Sequence, residues 1–223
     1  MKSVVCALAD LGADLVLAPE RHLVAAASSE GVPLSTLVLE RRERIDPSQG
    51  REGPIVLDTS HARDGVLDVA GALRDGAGTK SAKKRALVGD VVVSRLRPYL
   101  RQVALVHEGA LAASRSPREL ALSTEFYVLA PRTPGDDLAF LVPFLLAPAT
   151  QAALAAAQEG GHHPRVPRES LFSLRVPTAV LRARGKTSAR VREALAAIYE
   201  GASALHAAAV GEPDRRRRST RKA

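Results

Sequence analysis

The chain has 223 residues, 46% of them hydrophobic, enough for one large domain, or one domain with an appendage, around a sizeable core. Aromatics are only 3% and tryptophan is absent, so that core must be built from Leu, Val and Ala. The net charge of +8 and isoelectric point near 10.2 suit a polyanionic partner, because each phosphate neutralised by Lys or Arg releases counterions. Much of that charge lies in a terminal run, Arg215 to Arg218 with Arg221 and Lys222, and the rest of the chain is only mildly basic. The single cysteine, Cys6, excludes a disulfide framework and points to a reducing, cytoplasmic setting.

In chain order, residues 1–32 read as a helical approach: apolar runs at 4–9 and 15–18, then a helical stretch that stops at Gly31. Asp10 and Asp14 interrupt the first apolar region and only Lys2 precedes it, so it does not read as a secretory leader. The main domain is expected over 33–180. Within it, 33–39 reads as a turn with a short strand or helix, and 40–54 as a charged loop. Strands are expected at 55–60 and 65–69 about a turn at Asp64-Gly65, and a flexible basic loop at 74–85. Two β-branched runs, 91–93 and 103–106, flank an Arg97-Pro98 corner, and 123–131 is a further strand. Residues 138–158 lack charge over a membrane-spanning length, but Pro143 and Pro148 interrupt them; they read as a buried helical passage and not as a membrane span. A Gly-His loop follows at 160–167, then an extended exit at 174–180.

The last element is a helix over 187–210, with Thr187 or Ser188 as N-cap, ahead of a basic disordered tail at 211–223. Val191, Leu195, Ile198, Ala202, Leu205 and Ala209 recur at alternating spacings of four and three, a heptad seam. Such a seam packs either on its own domain or on a partner helix. The expected fold class is therefore α/β (α+β): a mostly β domain with flanking helices and a C-terminal helix.

Catalytic patterns are missing. No Lys has an acidic residue two places before it, there is no Pro-Pro pair, and no Gly-x-Ser-x-Gly elbow occurs. Gly76-Ala77-Gly78 does not follow a strand directly, and Gly185-Lys186 lacks the first glycine of a phosphate loop. The adjacent His162 and His163 have no Cys and only Glu159 as an acid nearby, too little for a metal. No enzyme activity, cofactor or metal is expected.

The chemistry that remains is basic. Lys80, Lys83, Lys84, Arg85, Arg95, Arg97 and Arg101 lie within 22 residues against one acid, Asp90, with Tyr99 among them. A strand-corner-strand carrying such residues can set guanidinium groups against phosphates and guanine edges; it can equally be a solvated charged loop.

Three segments carry a family resemblance. VGDVVVSRLRPYLRQVALV at 88–106, STEFYVL at 123–129 and GGHHPRVPRESLFSLRVP at 160–177 resemble, in order, the signature elements of target-recognition domains in type I restriction-modification specificity subunits. PERHL at 19–23 and PLSTLV at 33–38 are fainter matches to the approach to that domain. The resemblance implies sequence-specific recognition of double-stranded DNA on behalf of a methyltransferase or nuclease partner, in a restriction or related phage-defence system. It implies DNA contacts from Lys80, Lys83, Lys84, Arg85, Arg95, Arg97, Tyr99, Arg101, His162, His163, Arg165 and Arg168. It gives Gly89-Asp90 a turn, Val91 and Val93 a core position, and Thr124-Glu125 an ion pair bracing the Arg97-Pro98 corner. Arg165 would meet phosphate or bind Glu169. Subunits of that family join two such domains through two long helices; here there is one domain and one short helix. The seam Val191, Leu195, Ile198, Ala202, Leu205 and Ala209 would then serve a homodimer or a larger helical partner. The rival reading is a protein-interaction module derived from a recognition domain.

Overall fold

The computed structural model describes residues 31–47, 53–76, 81–112 and 119–210. The expected N-terminal approach up to residue 30, the terminal basic run and Lys80 lie outside them, and Val32, expected in that helical approach, is in a strand.

Short strands dominate the first half. β1 (Val32–Pro33) leads through a 3-10 turn at Leu34–Thr36 into β2 (Val38–Glu40) and β3 (Arg44–Ile45). β4 (Ile55–Leu57) ends earlier than the sequence suggests, because Asp58 opens a 3-10 turn at Thr59–His61: the Asp58 side chain accepts from the His61 backbone and the His61 ring accepts from the Asp58 N–H. β5 (Ala62–Arg63) and β6 (Val66–Leu67) form a small hairpin over Asp64-Gly65, both at positive φ. The strand expected to run on to residue 69 gives way to helix α1 (Val69–Asp75), capped by Asp68, whose carboxylate accepts from the Gly71 N–H at 2.7 Å. The expected basic loop at 74–85 is thus, in its described part, the end of α1 and the start of β7 (Lys83–Ala86).

β8 (Val91–Ser94) and β9 (Val103–Leu105) are the two β-branched runs, paired antiparallel about the Arg97-Pro98 corner. The chain continues through α2 (Glu108–Leu111), β10 (Leu120–Leu122) and β11 (Phe126–Pro131). The uncharged passage becomes two helices, α3 (Leu141–Leu146) and α4 (Pro148–Ala156), Pro148 sitting in the first turn of α4 where its missing N–H costs nothing. No described helix is long and apolar enough to cross a membrane. α5 (Arg168–Phe172), β12 (Arg175–Val176), α6 (Thr178–Arg182) and α7 (Arg184–Val210) complete the described chain. The exit at 174–180 is extended only briefly before α6.

Two four-stranded sheets carry the fold, in the orders β2-β11-β8-β9 and β3-β7-β10-β4; all neighbours are antiparallel except β10 and β4. The first sheet is buried on both faces. Val91, Val93, Tyr127 and Leu129 point into a core with α3, α4, α5 and α7, while Val92, Phe126 and Val128 point into a second core with Ile55, Leu57, Leu120 and Leu122. Period-two alternation therefore feeds two cores, and β8 reads as an unbroken apolar run because neither face sees water. Gly89, at φ +94, makes the expected turn into β8. Asp90 is buried and holds that turn: its carboxylate accepts from the Leu87 N–H at 2.8 Å and receives two hydrogen bonds from Arg41, at 2.8 and 3.1 Å. Val91 and Val93 face the core as expected.

Helix α7 starts three residues before Thr187, so neither Thr187 nor Ser188 is an N-cap. Ser188 lies inside the helix, buried, and its hydroxyl accepts from the Phe140 N–H at 3.1 Å. A stripe at Ser188, Arg192, Leu195 and Tyr199 faces the domain. Arg192 grips Asp137 with two hydrogen bonds, Leu195 is 4% exposed in the core, and the Tyr199 hydroxyl bonds both the N–H and the carbonyl of Leu67. The Tyr199 ring stacks on His107 with centroids 5.7 Å apart. Gly109 allows this approach: a Cβ there would lie 3.0 Å from that of Tyr199. Beyond residue 200 every residue to 209 is exposed.

Candidate nucleic-acid interface

The segments 88–106, 123–129 and 160–177 are far apart in sequence and meet at one point. Arg95 directly follows β8, Glu125 directly precedes β11, and Arg165 lies in the loop before α5. The Arg95 N–H donates to the Glu125 carbonyl at 2.9 Å, and the Val166 N–H donates to the Arg95 carbonyl at 2.8 Å. Leu96 and Arg165 form an antiparallel bridge, and the Tyr127 hydroxyl donates to the Val166 carbonyl at 2.8 Å. Side chains repeat the junction. Glu125 takes a two-pronged guanidinium from Arg165, with N–O distances of 2.7 and 3.0 Å, and has Arg95 at 3.8 Å. Hydrogen bonds and charge from Arg165 hold the Glu125 carboxyl below its ordinary range, against the opposing effect of burial.

A cleft of about 910 Å³ opens beside this junction, lined by Glu40, Arg42, Arg44, Lys84, Arg95, Thr124, Tyr127, Glu159, Gly160, Arg165, Pro167, Arg168 and Glu169. Six of these side chains are cationic and three are acidic, so the wall is net positive. Glu40, at the end of β2, is its internal anchor. Lys84 reaches Glu40 at 3.1 Å, Arg168 at 2.9 Å and Arg42 at 3.4 Å. Burial pushes the Glu40 carboxyl up, but Lys84, Arg168 and Arg42 together outweigh it and hold the group below its usual range. Arg168 also lies over the Phe172 ring at 4.2 Å, and Lys84 and Arg95 each stand 5.5 Å from the Tyr127 centroid.

The chain is similar to the HsdS subunit of Thermoanaerobacter tengcongensis. Identity is 21% over 73% of this chain and 43% of that one, with a TM-score of 0.47. A second similar chain comes from a structure addressing complex assembly and conformational transition of the type I R-M system; identity is again 21%, over 80% of this chain and 44% of the other, with a TM-score of 0.48. The chain spans less than half the length of either. No protein-family model and no curated protein matches it.

The sequence-predicted residues divide three ways. Lys84, Arg95, Arg165 and Arg168 converge on the cleft wall. Arg97 and Tyr99 stand on the corner beyond it, both on the surface, and Arg97 has no ion pair with any described residue. The others are drawn elsewhere. Lys83 and Arg85 alternate with Lys84 along β7: Lys83 is buried, and Arg85 pairs with Glu43 and Glu119. Arg101 binds Asp64 and donates to the Leu146 carbonyl at 2.9 Å, bracing the corner from behind. His162 and His163 are exposed on the loop, their ring centroids 5.9 Å apart, and the described residues contain no cluster of metal-binding side chains. The ion pair expected of Glu125 exists, but with Arg95 and Arg165 and not with Arg97; Arg165 takes Glu125 in place of Glu169.

The basic stretch 80–101 is thus not one surface, since strand alternation and nearby carboxylates separate its charges. Arg42 and Arg44 were missed: they line the cleft from a run that reads only as a charged loop. Their signal was the ERRER run immediately after an apolar strand. The seam of α7 splits too. Val191 and Leu195 pack on the domain, whereas Ile198 at 48% and Leu205 at 74% exposure, with Ala202 and Ala209, face outward.

Proposed function

We propose that the chain is a non-catalytic module that recognises duplex DNA in a sequence-specific way, as a specificity component for a methyltransferase or nuclease partner in a restriction-type system. The observation that carries this reading is the junction of Arg95, Glu125 and Arg165. Three segments that resemble the signature of type I target-recognition domains supply one residue each to it, and it borders a net-positive cleft. Arg44 and Arg97 offer guanidinium groups for phosphates, and Arg42, 3.4 Å from Glu40 but 70% exposed, offers a third; Lys84, Arg168, Arg95 and Arg165, held by Glu40 and Glu125, are fixed in position, as base contacts require. The outward residues Ile198, Ala202, Leu205 and Ala209 favour assembly through the distal half of α7. Two copies would read two half-sites at a set distance.

The test is retention of duplex DNA as salt is raised, for the wild-type chain and for a variant with Arg42, Arg44 and Arg97 changed to Ala. The variant should bind more weakly, with a log-log salt slope shallower by about 0.9 for each phosphate that it no longer neutralises. A folded variant that keeps the wild-type slope would refute the assignment of these residues. The internal pairing of so many cations favours one rival, an interaction module that no longer binds DNA. Wild-type protein that passes over DNA unretained at low salt would establish it.

A further inference from the structure

The corner between β8 and β9 departs from the rest of the fold. Arg97 and Arg101 both adopt left-handed backbone conformations, at φ 43 and φ 54, which side chains other than glycine rarely take. Between them the 3-10 turn Pro98–Leu100 buries Pro98 and turns its other two residues outward: Tyr99 is 70% exposed and Leu100 37%. The turn is not loosely held. Its backbone closes through Leu100 N–H to the Arg97 carbonyl at 2.9 Å and Arg101 N–H to the Pro98 carbonyl at 2.8 Å. The Asp64 N–H donates to the Arg101 carbonyl at 3.0 Å, and the Arg101 side chain ties the turn to Asp64 and to the end of α3. α4 packs beneath it. Pro98 apart, this strained, braced turn sets an exposed ring and a partly exposed Leu side by side at the surface, where they bury little for the fold. On one side of them is Arg97, without an ion pair among the described residues, and two residues before that is Arg95 on the wall of the net-positive cleft.

We propose that Tyr99 and Leu100 form a wedge that enters a base step of bound duplex DNA, the Tyr99 ring stacking on a base while Arg97 meets the flanking phosphate. This rests on the reading of the cleft as a DNA interface and adds to it a mode of engagement: partial unstacking of the duplex at a point set by a rigid corner. Insertion of an apolar side chain between bases is opposed by the base stacking it disrupts and repaid by the aromatic contact and the bend it allows. A braced backbone suits that task, because a mobile loop would lose entropy on insertion.

The chain offers its own probe. It has no tryptophan and three tyrosines, of which Tyr127 and Tyr199 are buried or partly buried and Tyr99 is the exposed one. The experiment uses duplexes that the wild-type chain itself selects from a random-sequence pool. Titration should quench the tyrosine emission of the wild-type chain. Tyr99→Phe should remove most of the quenching, leaving at most what Tyr127 on the cleft wall contributes, and keep affinity nearly unchanged, since a phenyl ring still stacks. Tyr99→Ala should weaken binding about tenfold to a hundredfold with an unaltered salt slope, because stacking releases no counterions. Unchanged affinity in Tyr99→Ala, or quenching in Tyr99→Phe as large as in the wild type, overturns the wedge while leaving DNA binding intact. Failure of the wild-type chain to select any duplex overturns the underlying DNA reading instead.

Discussion

Helix α7 makes two opposite predictions for two leucines ten residues apart. Leu195 is 4% exposed among Val191, Tyr199 and the residues of α3, whereas Leu205 is 74% exposed on the distal half. Truncating a buried Leu to Ala removes its transfer free energy and leaves a cavity, costing about 2–5 kcal/mol in general. Leu195 is buried but retains a little exposure, so Leu195→Ala should cost about 2–3 kcal/mol, the lower part of that range. For a chain of this size that corresponds to a fall in Tm of roughly 5–10 °C. Leu205→Ala removes a side chain that touches water, so in the monomer its effect should stay within about 0.5 kcal/mol. Its effect should appear instead in self-association, where the seam Ile198, Ala202, Leu205 and Ala209 would be covered. Urea melts followed by circular dichroism at low protein concentration measure the first quantity, and light scattering over a concentration series measures the second. Equal loss of stability in both variants, or a Leu195→Ala variant as stable as wild type, would refute the division of the helix into a docked and a projecting half. A wild-type chain that stays monomeric at high concentration would remove the self-pairing role from Leu205.

Two further outcomes follow from the ion pairs. Glu40 and Glu125 have folded-state pKa values below the ordinary 4.5, so their stabilisation is fully present above that value and fades as pH falls below it through their folded values. Urea midpoints should therefore drop in that acid range, and Glu125→Gln should drop less; a parallel acid profile in the variant would show that the pairing contributes nothing. Arg101→Ala should lower stability by unbracing the corner while leaving the salt slope of DNA binding unchanged, which separates it from Arg97; a shallower slope in folded Arg101→Ala would return it to the phosphate-binding set.

Much of the fold was legible because its signals are local. Gly89-Asp90 marks a turn by conformation and side-chain capping, Pro98 marks a corner, the β-branched runs mark β8 and β9, and the three segments resembling target-recognition domains stand in order along the chain. The alternation of β8 could be read, but not that both of its faces would be covered, since that depends on a second sheet drawn from residues 55–57 and 120–122 on either side of it in the chain. The charges were least legible. Lys84, Arg85, Arg101, Arg165 and Arg168 look alike in sequence as basic residues, yet each meets a specific partner, Glu40, Glu43, Asp64 or Glu125, brought near by tertiary folding. Net charge and residue type are properties of the sequence alone. Which cations remain free for a phosphate is decided by where the carboxylates fold, because an ion pair forms over a few ångströms of space regardless of how many residues separate its members.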